Sequence, residues 1–168
     1  MSIILYLRVL KDVKAMISNA PSSRELNRWT IFHTYAVVSY VVSLRGKEGL
    51  LLDLEGLIRH SSSGNGSYVV ITLQGRVKGE TNDRDHLLPC VPITSSGVDV
   101  KASLVRLIAL KAKHGFVDSP AISDMDGRAF STRDMSDLLV EILEDVFDSD
   151  RALFPLDIVS KEILRERY

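Results

Sequence analysis

From Arg24 to about Leu44 the chain is apolar on nearly every helical face, with Trp29, Ile31, Phe32, Tyr35, Val37, Val38, Val41 and Val42 spread around the wheel. Such a helix needs partners on all sides, so the pattern predicts a central, buried element. Its start is marked by Ser22 with Glu25 three residues on, a capping-box spacing. Before it, residues 1–21 predict an amphipathic helix and a linker. Ile3, Leu7, Leu10 and Lys14 fall on one side of that helix, with Ile4 and Val13 near it. After it, Gly46 and Gly49 bracket a turn. The stretch 48–58, "EGLLLDLEGLI", predicts one short helix closed near Gly56.

"YVVITLQ" (68–74) is β-branched and reads as a strand, and "HLLPCVPI" (86–93) as a strand returning beside it. Pro89 and Pro92 place the second strand at an edge. The two form a hairpin with a long charged tip. "VDVKASLVRLIALKAKHG" is an amphipathic helix with Leu104, Val105, Ile108 and Ala112 on one face and Gly115 as its stop. A loop with a turn at Asp126-Gly127 leads to Ser131 and Asp134, a second capping pattern. The helix that follows is the most periodic in the chain: Met135, Leu138, Leu139, Ile142, Leu143, Val146 and Phe147 form its stripe. "FPLD" ends it, and "SKEILRERY" opens a last helix. The expected fold is mostly α, an α+β domain with a small antiparallel sheet.

Composition changes this picture little. Of 168 residues, 45% are hydrophobic and 26% charged, which is ordinary for a globular protein. The net charge of -1 neither favours nor excludes a nucleic acid, because a basic patch can sit opposite an acidic face. Cys90 stands alone, so neither an intramolecular disulfide nor a cysteine-based zinc site is available, and an intracellular setting is expected. The N-terminal apolar run is broken at Arg8, Lys11, Asp12 and Lys14, too short for a membrane span. "DMDGR" lacks the alternating acids and distal glutamate of a calcium loop, so no metal and no cofactor are expected. His86 and His114 are expected to serve structure, on a strand and at a helix C-terminus. The stretch Asp134–Asp150 holds seven acids and no base, a face that would repel a duplex.

"SLRGKEGLLLDLEGL" (43–57) resembles the first conserved box of the tyrosine recombinases, or phage-type integrases. That box reads roughly Thr-Gly-Leu-Arg, two residues, Glu, then a leucine pair. Ser43, Leu44, Arg45 and Glu48 match, and Leu51-Leu52 follows at the right distance. The family places a lysine in the hairpin tip after this box, where this chain has Lys78, with Arg76 as the competing tip residue. The chain is similar to the transposon-encoded, Crypton-type branch found in eukaryotes, over about residues 22–168. The resemblance implies DNA as partner, no cofactor, and a nuclear location in a eukaryote. It implies Arg45 as a clamp on the scissile phosphate, Glu48 in support, and Lys78 as proton donor to the leaving 5′ oxygen. A planar guanidinium suits the charge that develops on phosphate oxygens, and a lysine on a tip is able to protonate an alkoxide.

The chain also departs from the family. The second box, His-x-x-Arg followed by the tyrosine nucleophile, is missing: none of the four histidines has arginine three residues on. Tyr168 is terminal but unsupported by a second clamp. The expectation is therefore the N-terminal two-thirds of a recombinase-like catalytic domain, inactive alone, with an apolar patch left open on the central helix or the Met135–Phe147 stripe, and self-association as a result. The alternatives are a non-enzymatic DNA-binding module and a helical interaction protein.

Overall fold

The computed structural model describes residues 3–61, 68–75, 84–115 and 120–149. Among them six helices and one two-stranded antiparallel sheet form an α+β domain. The order is α1 (Ile3–Ser18), α2 (Ser23–Val41), α3 (Gly46–Gly49), α4 (Leu54–Ser61), β1 (Val69–Gly75), β2 (Arg84–Cys90), α5 (Val100–Lys113) and α6 (Thr132–Ser149).

Helix α2 is the centre. Ser22 caps it by accepting a hydrogen bond from the Glu25 N–H (3.2 Å). Trp29, Ile31, Phe32, Val37 and Val38 are buried between α1 on one side and α5 on the other. Helix α1 contributes Tyr6, Val9, Leu10 and Val13 to the same core and also meets α6. That face differs from the expected one: Ile4 is 78% exposed, and Tyr6 replaces it by stacking on Tyr40. A large aromatic ring buries more surface than the terminal isoleucines, which stay exposed.

Two of the buried polar side chains of α2, His33 and Thr34, meet Ser103 of α5. Thr34 donates to the Thr30 carbonyl (2.9 Å), Ser103 donates to Thr34 Oγ1 (3.2 Å), and His33 Nδ1 lies 3.0 Å from Ser103 Oγ. Burial pushes His33 down to about 4, with help from the charges of Arg106 and Lys14. Helix α5 is capped by Asp99, which accepts from the Ala102 N–H (2.8 Å). Its buried face is Val100, Ser103, Leu104, Leu107, Leu110 and Lys111, while Val105 is 52% exposed. The helix is thus rotated from the face expected on hydrophobicity alone, because Ser103 has to reach the hydroxyl and imidazole on α2.

Lys111 is only 1% exposed. Its ammonium donates to the Ser123 carbonyl (2.7 Å) and to Ser123 Oγ (2.6 Å), and the Ser123 hydroxyl donates to the Pro120 carbonyl (2.7 Å). This fastens the loop after α5 to the core. Burial lowers Lys111 to about 8, against a weaker opposing pull from Asp124. The loop turns back at Gly127 (φ +80°), with Ser123 bridged to Ala129, and delivers the chain to Ser131. Ser131 and Asp134 form the expected cap: Asp134 accepts from the Ser131 N–H (2.6 Å), and the Asp134 N–H donates to Ser131 Oγ (3.2 Å).

On α6 the stripe Met135, Leu138, Ile142, Leu143 and Val146 is buried. Among the described side chains of that stripe only Leu139 is partly exposed, and on α2 Trp29, Ile31, Phe32, Val37 and Val38 are buried. The exposed large apolar side chains include Tyr40 near the end of α2, Ile4 at the start of α1, and Leu87, Val91 and Ile93 on and after β2. Phe147, the "FPLD" break and the helix expected at "SKEILRERY" concern side chains or residues outside those described.

Both buried bases set a pH dependence. For His33 the unfolded chain binds the proton more tightly between about pH 4 and 6.5, so stability rises with pH there and falls on acidification. For Lys111 the unfolded chain holds the extra proton between about pH 8 and 10.5, so this contribution also rises with pH in that range. Urea unfolding across pH should show the acid slope reduced in His33→Gln and the alkaline rise lost in Lys111→Met.

Candidate functional site

The segment 42–57 is built by four local devices. Helix α2 ends in a Schellman arrangement: the Leu44 N–H donates to the Ser39 carbonyl (2.8 Å) and the Ser43 N–H to the Tyr40 carbonyl (3.3 Å). That closure requires a left-handed residue, and Ser43 supplies it at φ +54°, where glycine is usual. The helix therefore stops at Val41, short of the expected Leu44.

Arg45 follows as the N-cap of α3, with an extended backbone (φ -78°, ψ 158°). The Glu48 carboxylate accepts a hydrogen bond from the Arg45 backbone N–H (2.9 Å), while the N–H groups of Glu48 and Gly49 donate to the Arg45 carbonyl (2.9 and 3.1 Å). The Arg-x-x-Glu spacing is thus a cap geometry, with the acid at the third helical position holding the backbone of the arginine. The Arg45 side chain is exposed. Among the described residues it makes no ion pair.

Close contact with α2 fixes the turn. A Cβ on Gly49 would lie 2.4 Å from Ser39 Oγ and 2.8 Å from Tyr35 Cε2, so only glycine lets α3 settle there. The Tyr35 hydroxyl donates to the Gly46 carbonyl (3.1 Å), and burial raises its pKa. On its other side Gly46 faces the start of α6, where Thr132 Cγ2 would be 3.8 Å from a Cβ.

The single helix expected over 48–58 is instead two short helices around an extended link. Leu52 bridges Leu73, the Gln74 N–H donates to the Leu51 carbonyl (2.8 Å), and the Asp53 N–H donates to the Thr72 carbonyl (2.8 Å). The link thus runs antiparallel beside β1 as an isolated bridge, outside the two-stranded sheet. Asp53 then caps α4, accepting from Glu55 (3.2 Å) and Gly56 (2.9 Å). Gly56 allows β1 to pass: a Cβ there would lie 2.4 Å from Thr72 Cγ2.

The hairpin pairs Val69 with Cys90 and Gly75 with Arg84. Its loop end lies beside the 42–57 segment, since Leu51 Cδ2 would be 3.7 Å from a Cβ on Gly75. His86, expected to be structural, closes this end with Nε2 3.2 Å from the Gly75 carbonyl. His114 caps the C-terminus of α5. Arg76 and Lys78 lie outside the described residues, as does Tyr168. Of the sequence-derived site, then, Arg45 and Glu48 are placed, and the loop expected to carry the lysine lies outside the described residues.

The proximity of Gly46 to Thr132 had no signal in the sequence, because the two are far apart along the chain. The left-handed Ser43 was hidden by its side chain, where a glycine would have announced it.

Comparison with protein-family models, with curated proteins and with solved structures gives no match. Among the described residues, no helix is long and apolar enough to cross a membrane.

Two substitutions probe the turn. Ser43→Gly relieves the left-handed strain and should raise stability by about 0.5–1 kcal/mol. Gly49→Ala forces α3 off α2 and should lower it by about 1–3 kcal/mol. Chemical denaturation of both variants reads the two signs.

Proposed function

We propose that this chain is a DNA-binding protein of tyrosine-recombinase type, in which Arg45 grips a backbone phosphate and which does not cleave DNA by itself. One observation carries the reading. The family's box has glycine directly before its Leu-Arg pair, and the residue at that place, Ser43, takes the left-handed backbone that glycine adopts most readily. The Arg-x-x-Glu spacing of the box has a matching physical reason here, since Glu48 secures the Arg45 backbone. Two independent features of the pattern thus coincide with what the turn needs.

The chemistry is consistent with this. A guanidinium on a turn held by a Schellman closure, a cap and a glycine contact is pre-organised, so little entropy is lost when it meets a phosphate. Lys78 is proposed as a second cation, carried by the hairpin whose loop end adjoins Leu51. The sequence has no His-x-x-Arg, so the donors that would complete a transition-state clamp are missing, and loss of even one such donor costs on the order of 10²–10³ in rate.

Incubation with supercoiled DNA should yield no covalent protein–DNA adduct. Binding to a duplex at low salt should be weak and salt-sensitive, and Arg45→Ala and Lys78→Ala should each reduce it several-fold. A phosphotyrosine adduct mapped to Tyr168 would show a complete catalyst. Binding unchanged in both variants would remove the basis for the reading.

A further inference from the structure

We infer that the exposed face of β2 and the residues after it is a dimer interface, on which a second copy of this chain packs about a two-fold axis. This surface stands independently of the DNA-binding reading, and no motif marks it.

From Asp85 to Ser95, exposed and half-buried side chains alternate without a break. Successive residues of an extended chain point to opposite faces, so Leu87, Pro89, Val91 and Ile93 share the exposed one. One step beyond the Val69–Cys90 pair, Tyr68 stands beside Val91 and widens the stripe. Tyr68, Leu87, Val91 and Ile93 are 44–59% exposed. Between Asp85 and Ser95 this face carries no charge. With Pro89 the stripe offers about 400 Å² of apolar surface, the size at which a patch on a monomer marks an interaction site.

The backbone decides how a partner sits. The Thr72 carbonyl and the Gln74 N–H are turned to the 50–53 link, away from β2. Their cross-strand partners Leu87 and Asp85, and Pro89 opposite Val70, therefore turn their own backbone groups to the open edge of the sheet. Pro89 has no N–H to offer there, so a strand added at this edge finds no donor in the middle of the stripe. An extended peptide, which would depend on that edge, is disfavoured, and contact falls to the side chains. A flat apolar stripe is complementary to itself about a two-fold axis, and the antiparallel crossing keeps the two Asp85 carboxylates at opposite ends. With a polar rim, two copies bury on the order of 1,200 Å², the low end for a specific complex, so the dimer is weak and forms as concentration rises.

The test is sedimentation velocity of the whole chain over a concentration series. The parent is compared with Leu87→Glu, Ile93→Glu and, as control, Val105→Glu, which changes an equally exposed apolar residue on α5. Circular dichroism of each confirms folding, since all three side chains are exposed. The parent should pass from monomer to dimer and stop there. Each stripe variant should raise the dissociation constant about tenfold or more, and Val105→Glu should leave it unchanged. A photoreactive benzoylphenylalanine at position 91 should cross-link to residues 87–93 of the second copy. A parent that stays monomeric at every concentration overturns the inference, as does a control that weakens association as much as the stripe variants. Cross-links to another surface, or growth past the dimer, would show a head-to-tail contact and overturn the two-fold packing. None of these outcomes bears on DNA binding by Arg45, which is read separately.

Discussion

Helix α2 has to find a partner on every side, and the rest of the molecule is arranged to provide one. Its apolar residues meet α1 and α5, its aromatic start is closed by polar contacts, and its last turn receives α3. Burial on this scale is favourable only if the polar groups carried inside are paired, because an unmatched buried donor or acceptor costs about 1–3 kcal/mol. Ser103 meets Thr34 and His33 Nδ1, on the face that α5 turns to α2, while Thr30 Oγ1 and His33 Nε2 find no partner among the described residues. Arg28 shows the same logic at the edge of the core. Its guanidinium lies over the Trp29 ring and bonds both carboxylate oxygens of Glu141, which ties α2 to α6.

The exposed turn with Arg45 is a consequence of this packing. Because α2 is enclosed, it ends where its core ends, at Val41, and the chain reverses through Ser43. The reversal places α3 against Tyr35 and Ser39, and the next residues run alongside β1. A surface arginine is ordinarily a mobile group on a flexible stem. Here the backbone under it is held from both sides, by Glu48 and by the Schellman closure, while its guanidinium stays in water. Rigid support beneath an exposed cation is what phosphate recognition rewards, since positioning costs less entropy at the moment of binding.

Lys111 plays a comparable part on the far side of α5. A buried ammonium is costly, and the fold accepts that cost in exchange for two short hydrogen bonds to Ser123. With Ser123 fixed, the loop to α6 has a defined course, and the start of α6 arrives beside Gly46. The tertiary neighbourhood of Arg45 thus depends on a lysine that lies outside it and that no local motif marks.

Much of the fold was legible along the chain. The capping residues Ser22 and Ser131, the all-round apolar helix, the β-branched strand and the heptad-like stripe of α6 each follow from short-range physics: hydrogen bonds within a turn, and periodicities of 3.6 or 2. Arg45 and Glu48 were legible for the same reason, as they lie three residues apart on one turn. Where the reading failed, a distant partner had decided. The stretch 50–53 was expected to be helical on its leucines, but the backbone groups of β1 compete for it and draw it into an extended link. The buried faces of α1 and α5 turned to suit Tyr40 and α2, and the closure of the α6 stripe came from packing that no pattern on α6 itself specifies. Local sequence decides which groups must be capped or buried. Which partners do the capping and burying is decided only when the helices come together.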